Sequence, residues 1–525
     1  MTKKFYITTA IAYPNARPHM GHALEIIQAD AMARMYRMIG KEVVFQTWTD
    51  EHWIKNRRTA QKGWKEIMEF LDTNVWVFKE LYSKLMVSYD NFLRTSDKKL
   101  HYPWAQKLRN KLVEKWDIYK QKYKWLYCAW CEKFITEKEL VDKKCPDHPS
   151  LDIEIVEEEN YFFKLSKYKD QIIKLISEKI YEVYPDTRKN EILERLKNAQ
   201  DISFSRPKET LPRGIPVPND PEHVMYVRCD ALSNYITWQW YENNEKKFQE
   251  TRPADIHIIW KDILRFHAAF WPAMLLSADI QLPKKLIVHW FLTLNWARMS
   301  KSAGNGIDPI EVLENTERDG FVFQLLYDVP LHSDWDFSID RLKNMYESML
   351  IWWRGNLVNR VTSLCVKYGI KEWKLNKAKR EEFKDNENKL IQLFESWFDW
   401  HFIEKNYLEK ADIQWYLQDR YRLVQKSNEF ITKAEPRKKY KDDSTKDDAM
   451  TDLQFLLYIV KNLALISSPI LINGFQKIQE IFWNEELNKI DTSKNTEDQS
   501  LFKEIFDLDK FSVKLNSQII YQRKE

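Results

Sequence analysis

The sequence predicts an α/β fold: a parallel sheet built in two halves, with an insertion between the halves and a helical bundle after them. Three observations carry this. "KFYITTAIA" (4–12) and "EVVFQT" (42–47) read as buried strands on either side of one amphipathic helix, a βαβ unit. Strand-like runs return only later, as "HVMYV", "ADIHIIW" and "KLIVHWF". From about residue 340 onward the apolar spacing is helical.

The elements follow in order. The first strand opens into a polar loop, "YPNARPHMGH". In the helix after it, Ala23, Ile27, Ala31, Met35 and Met38 share one face, and Gly40 serves as its C-cap. The second strand runs into the turn "TWTDEHW" (47–53). Open α/β sheets collect their chemistry at the carboxyl ends of strands, so this turn and the first loop are candidate site segments. Residues 54–124 read as mostly helical, 125–165 as a short cysteine-bearing module, and "FHAAFWPAML" as a helix of the second half. A charged break, "EPRKKYKDDSTKDD", interrupts the later helices. Four segments result: 1–115, 116–222, 223–345 and 346–525.

Bulk properties narrow the class. The chain has 525 residues, 30% charged and 44% hydrophobic, as in an ordinary soluble protein of several domains. A net charge of +4 is too small to argue for nucleic acid by itself. No apolar run reaches the roughly 18 residues of a membrane span, and the opening residues lack a signal-peptide pattern. No membrane association is expected, and the cytoplasm is the expected compartment. Five cysteines are too few for a disulfide framework.

Four motifs point to chemistry. "HMGH" puts His19 and His22 beside a helix start, where N–H groups, helix dipole and imidazoles together suit an anion such as phosphate. Gly21 lets a planar base approach the backbone. On spacing alone, two surface histidines are an equal reading. "ARMSKSAGNG" (297–306) sets Lys301 between Ser300 and Ser302, after Met299, in a glycine-bearing loop. Such a loop can hold a pyrophosphate that develops charge; alone it reads better as a solvated turn. "CAWCEKFITEKELVDKKCPDH" pairs a CxxC, Cys128 and Cys131, with a CxxH, Cys145 and His148. Four such ligands suit one closed, structural Zn²⁺. Finally, Asn356 and Arg360 of "GNLVNR" lie i, i+4 on one helix face, able to reach one base edge together.

Taken together, HMGH after a strand and MSKS after an insertion resemble the two signatures of class I aminoacyl-tRNA synthetases. The surrounding text, including "RPKETLPRGIPVPNDPEHVMYV", "KDILRFHAAFWPAML" and "GNLVNR", resembles the methionyl-tRNA synthetase family over about residues 4–365. The resemblance implies a Rossmann-like doubly wound sheet split by a zinc-knuckle insertion, followed by an α-helical bundle that binds the anticodon. It implies ATP-dependent joining of L-methionine to tRNA(Met), with Mg²⁺ carried by ATP. His19, Gly21, His22, Met299, Ser300, Lys301 and Ser302 would bind ATP, with His19, His22 and Lys301 catalytic. Ala10, Ile11, Tyr13, Asp50, Arg228, Ala231, Tyr235, Ile263 and His267 would surround methionine. Asn356, Arg360 and Arg437 would meet the anticodon, Arg437 of "EPRKK" standing where the family has Trp. A monomer is expected. Two rival readings stay open: a catalytically inactive tRNA-binding paralogue, and a class I synthetase for another amino acid.

The composition is abnormal. Only 10 glycines occur where roughly 37 are expected, against 22 tryptophans. Trp48, Trp53, Trp130, Trp260, Trp290 and Trp335 stand where the family has Gly, and Arg213, Arg228 and Arg437 where it has Trp. Trp116, Trp125 and the pair Trp352 and Trp353 also fall where glycine would read naturally, whereas Trp271 is at a family Trp. Tryptophan in glycine turns would force positive φ on a bulky residue. A table that reads UGA as Trp would write these letters for a lineage that reads UGA as glycine, and an arginine codon read as Trp would give the mirror set.

Overall fold

The computed structural model describes residues 3–52, 54–64, 66–128, 133–135, 140–146, 152–240, 245–299, 306–374, 378, 400–482, 485–495, 510–512 and 521. It divides into two compact units. One comprises 1–17, 46–79 and 90–289; the other 18–45, 80–89 and 290–525.

The first unit is organised by a six-stranded sheet. Its strands are β1 (Phe5–Ala12), β2 (Val43–Thr49), β3 (Asn91–Arg94), β4 (Glu182–Tyr184), β5 (Ile256–Trp260) and β6 (Lys285–His289), in the spatial order β3-β2-β1-β5-β6-β4. Pairing is parallel: Thr47 lies opposite Phe92, Ile7 opposite Ile256, Ile258 opposite Ile287, and Leu286 opposite Val183. β2 is buried at every position and β1 at all but its first, as expected of central strands covered on both faces. Chain order runs one way from β1 to β3 and the other way from β5 to β6. The reversal lies between β1 and β5, and a ligand crevice is expected outside their carboxyl ends.

The region read as mostly helical, 54–124, has helices at Ile54–Lys62, Ile67–Lys84 and Tyr102–Glu114, but it also holds two strands. β3 is four residues long, too short to show a period. Ile118–Cys128 is a strand, antiparallel to Glu154–Phe163. Its lysines gave it a polar look; in the sheet Lys122 lies opposite Glu159, and Lys120 Nζ comes within 3.5 Å of the Glu159 carboxylate, so charge pairing across strands supports it. β4 comes from the insertion yet edges the main sheet.

The helices used below are α1 (Met20–Met38), α2 (Tyr102–Glu114), α3 (Val227–Trp240), α4 (Asn356–Lys367), α5 (Ile413–Ala434) and α6 (Lys446–Ser467). In the second unit, α1 is buried nearly all round. Even Arg34 and Arg37 are enclosed, Arg34 on Asp30 at 2.8 Å and Arg37 on Ser88 Oγ at 2.7 Å. α6 is long and apolar enough to cross a membrane by length and composition, which reading for unbroken apolar runs overlooked; 83% of that window is buried inside the protein. Glu372–Lys374 and Lys510–Ser512 pair as antiparallel strands within the stretch read as all helical.

Candidate active site

The first unit brings the predicted pocket residues to the point where the sheet order reverses. Ala10 and Ile11 end β1, Asp50 follows β2, Ala231 and Tyr235 sit on α3, and Ile263 and His267 follow β5. Ala10, Ile11, Asp50, Ala231, Tyr235 and His267 are buried; Tyr13 and Ile263 are partly exposed.

The turn after β2 sorts its three polar residues into different tasks. The Glu51 carboxylate receives Arg94 on both oxygens, at 2.6 and 2.9 Å, with Thr49 and Ser96 hydroxyls beside them. It is a structural tie. The His52 ring is held at both nitrogens, by Asp230 Oδ2 at 2.5 Å and by the Tyr102 hydroxyl at 3.1 Å. Asp230, on α3, also takes His101 Nε2 at 2.7 Å. Burial pushes the Asp230 carboxyl up, but His52 and His101 outweigh it and hold it at about 2. Asp50 is fixed by its backbone: its N–H donates to Ala12 O at 2.8 Å, its carbonyl accepts from Asn56, and its carboxylate accepts the His52 N–H at 3.2 Å.

On α3, the Tyr235 hydroxyl meets His267 Nε2 at 2.7 Å. His267 Nδ1 lies 3.0 Å from Ile263 O, an acceptor only, so Nδ1 carries the proton and Nε2 accepts from Tyr235. Burial, partly countered by that carbonyl, lowers the imidazole to about 4, so it is neutral at pH 7. A hydroxyl and a neutral ring in apolar surroundings suit a thioether rather than a charged side chain.

Trp48 belongs to the same buried cluster as Ala10, Ala231 and Tyr235 and is fully enclosed. Its ring stands edge-on to Tyr235, with centroids 4.8 Å apart, and Nε1 donates to Thr9 O at 3.3 Å. Its backbone is extended, so the expected positive φ does not hold here. Nor does it at Trp260, whose φ is −86°, or at Trp290 and Trp335. At these positions indole occupies space rather than straining the chain. Arg228 is buried against the Tyr226 and Phe270 rings, at 5.3 and 5.8 Å, and donates to Ser203 O. Arg213 is half exposed, beside Glu66 and Met68 Sδ.

His19 and His22 belong to the second unit, where they cap α1. His19 Nδ1 accepts the Gly21 N–H at 3.1 Å, and His22 Nδ1 accepts the His19 N–H at 3.2 Å. Nδ1 being the acceptor in each ring, Nε2 carries the hydrogen of the neutral form, a donor suited to a phosphate oxygen. A Cβ on residue 21 would come within 2.9 Å of the His19 ring, so the fold-back needs glycine there. Met299 is buried; Ser300, Lys301 and Ser302 lie outside the described residues. So do Cys131, His148, Trp53 and Trp130. Cys128 and Cys145 are buried in one small cluster with Leu140 and Ile153 packed on it, which brings two thiols together. Among the described residues no group of three metal-ligating side chains occurs. In the second unit Asn356 is exposed on α4. One turn on, Arg360 is shifted down by burial and then by the charge of Arg437, which places those two guanidiniums in one neighbourhood.

Sequence reading missed Asp230, His101 and Arg94. Each acts through a partner more than 40 positions away in the chain, so no local pattern could report it.

A doubly wound sheet with polar residues at the carboxyl ends of its strands where the order reverses, and a histidine-capped helix after the first strand, define an α/β enzyme of the nucleotide-using class. The model of "tRNA synthetases class I (M)" matches residues 5–153 and 150–362. The methionine–tRNA ligase of Caldanaerobacter subterraneus subsp. tengcongensis is 38% identical over 486 residues, 91% of this chain and 74% of that one. That of Thermotoga maritima is 38% identical over 491 residues, 90% and 74% of the two chains. The Mycobacterium tuberculosis methionyl-tRNA synthetase in complex with methionyl-adenylate superimposes with a TM-score of 0.83 at 31% identity, covering 91% of this chain and 94% of that one. This chain belongs to the methionine–tRNA ligase family of class I tRNA synthetases.

Proposed function

We propose that this chain activates L-methionine with ATP to methionyl-adenylate, releasing pyrophosphate, and passes the methionyl group to tRNA(Met), releasing AMP. The observation that carries it is the buried Tyr235–His267 pair, on elements that flank the reversal of sheet order. The Asp50 carboxylate, in the turn after β2, takes the substrate ammonium, and the Tyr235 hydroxyl, turned on a neutral His267, meets the thioether. Ala10, Ile11, Tyr13, Ala231 and Ile263 supply the remaining wall. Catalysis is positioning and charge stabilisation, without a protein nucleophile. The Nε2–H groups of His19 and His22 hold phosphate oxygens at the α1 start, and Gly21 gives the adenine room. Met299, Ser300, Lys301 and Ser302 stabilise the leaving pyrophosphate. Mg²⁺ would arrive on ATP and spread its phosphate charge.

The reading includes one structural zinc on Cys128, Cys131, Cys145 and His148, which fits the buried Cys128–Cys145 pair. It includes anticodon reading by Asn356, Arg360 and Arg437, and a cytoplasmic monomer. Methionine-dependent ATP–pyrophosphate exchange is the test: no exchange from protein isolated from its own cells would sink it. One observation favours the inactive-paralogue reading for the letters as printed: Trp48 fills the space beside Tyr235.

A further inference from the structure

Three tryptophans occupy backbone geometry that suits glycine. Trp116 follows α2 with φ +58°; its N–H donates to Val113 O at 2.9 Å and the Asp117 N–H to Leu112 O at 3.1 Å. That pair of bonds is the Schellman ending, whose left-handed position is usually glycine. After α1 and α4 the same position holds Gly40 and Gly369, at φ +81° and +73°. Trp64 repeats the place after Ile54–Lys62, with φ +54° and its N–H on Gln61 O. Asn295 and Trp296, at φ +52° and +60°, form the two-residue link between the antiparallel strands Leu292–Leu294 and Ala297–Arg298. Two positive φ values in such a hairpin make a type I′ turn, whose preferred pair is Asn-Gly.

What the side chains do is equally telling. Trp64, Trp116 and Trp296 are 97%, 82% and 75% exposed. Tryptophan earns its place by burying a large apolar ring, and these three bury little. Lys179 and Ala411 show that other residues take positive φ in this chain, but none of those is an indole left in water. Trp271 behaves in the ordinary way, fully buried in the core at negative φ.

These geometries are independent of the glycine deficit and of any family comparison, and they agree with both. We infer that the protein made in its own cells carries glycine at positions 48, 64, 116 and 296, the codon there being read as glycine, while position 271 is tryptophan. At 64, 116 and 296 this puts the residue without a Cβ where φ is positive. At 48, where the backbone is extended, it empties the space beside Tyr235. That last consequence rests on the methionine reading; the turn positions do not.

The test is tandem mass spectrometry of peptides from the natively expressed protein, covering 43–52, 60–70, 101–124 and 285–299, with a peptide over position 271 as control. Expected is a residue lighter by an indolylmethyl group at all four positions, and tryptophan at 271. Tryptophan at 116 or 296 overturns the inference, as does a UGG codon at either. The result stands apart from enzyme activity. Glycine at these positions in a protein with no methionine-dependent exchange would refute the proposed function and leave this inference intact.

Discussion

His52 Nδ1 lies 2.5 Å from Asp230 Oδ2, tying the turn after β2 to the helix that carries Ala231 and Tyr235. The other oxygen of Asp230 holds His101, and His101 also contacts Thr237 on α3. A carboxylate only accepts, so both rings must turn an N–H toward it. Asp230→Asn would set an NH₂ against one of those N–H groups in a fully buried place. The expected loss is about 3 kcal/mol, read from the urea midpoint. The KM for methionine should rise more than kcat falls, because the Asp50 turn loses its tie while the reacting groups remain. An unchanged midpoint and KM would show the contact to be idle.

The same carboxylate sets an acid limit. Its folded value is depressed to about 2 from the ordinary 3.8. A depressed carboxyl stabilises the fold above its unfolded value and loses that contribution as pH falls through the folded one. The stability gap between the parent and Asp230→Asn should therefore be complete above about pH 4 and shrink as pH falls from 4 toward 2. A gap that stays constant over that range would assign the loss to packing.

Trp48→Gly, made in protein that otherwise carries the printed residues, should open the space beside Tyr235. Methionine-dependent exchange is expected to rise at least about tenfold, the equivalent of 1.4 kcal/mol of recovered binding. Trp271→Gly is the contrasting change. It removes a fully buried indole from the core and should cost about 3–5 kcal/mol.

Trp116→Gly and Trp296→Gly should each raise stability by about 1 kcal/mol, the relief of left-handed backbone less the entropy that glycine adds to the unfolded chain. Urea denaturation of each single variant and of the double tests this, and additivity is expected because each change acts on the backbone of its own turn. A destabilised single variant would mean the indole makes a contact that its exposure conceals.

Much of this was legible because parallel strands and the first helix announce themselves locally. β1, β2, β5 and β6 are short apolar runs, and α1 repeats at helical spacing. Asp50 was legible as a polar residue at a strand's carboxyl end. The tasks of its neighbours were not, since Glu51 and His52 are assigned by Arg94 and Asp230 from distant segments. Strand Ile118–Cys128 was hidden because Lys120 finds its carboxylate, Glu159, only across the ladder. The strain of the tryptophans was also placed partly wrongly. Trp48 and Trp260 are extended, while Asn295-Trp296, which lies in none of the family motifs, closes a hairpin at positive φ. A single local rule, asparagine before the turn's second residue, would have found it.

Zinc can be checked without activity. Cys128 and Cys145 are buried together at the end of Ile118–Cys128 and beyond, a placement that two thiolates on one cation would hold fast. Native protein is expected to contain one zinc per chain by elemental analysis. Cys145→Ser should lower that content and loosen the module, seen as faster proteolysis between residues 125 and 165. Full-length protein free of zinc and equally resistant would remove the metal from the proposal.

The anticodon reading separates cleanly from activation because pyrophosphate exchange does not require tRNA. Asn356 is exposed on α4 and Arg360 follows one turn on, half buried beside the charge of Arg437. Together they offer an amide and a guanidinium to one base edge, with a second guanidinium able to stack on its face. Asn356→Ala and Arg360→Ala should each raise the KM for tRNA(Met) about tenfold or more, at 1–3 kcal/mol for a lost base contact, while exchange stays at the parent level. Arg437→Trp is the sharper experiment, because it changes the stacking surface without touching the hydrogen-bonding pair. If position 437 meets a base, an indole there should lower the KM for tRNA(Met) and weaken its salt dependence, since a charge is exchanged for a ring. A variant whose tRNA affinity and salt slope both match the parent would place Arg437 outside the interface and leave Asn356 and Arg360 to read the base alone.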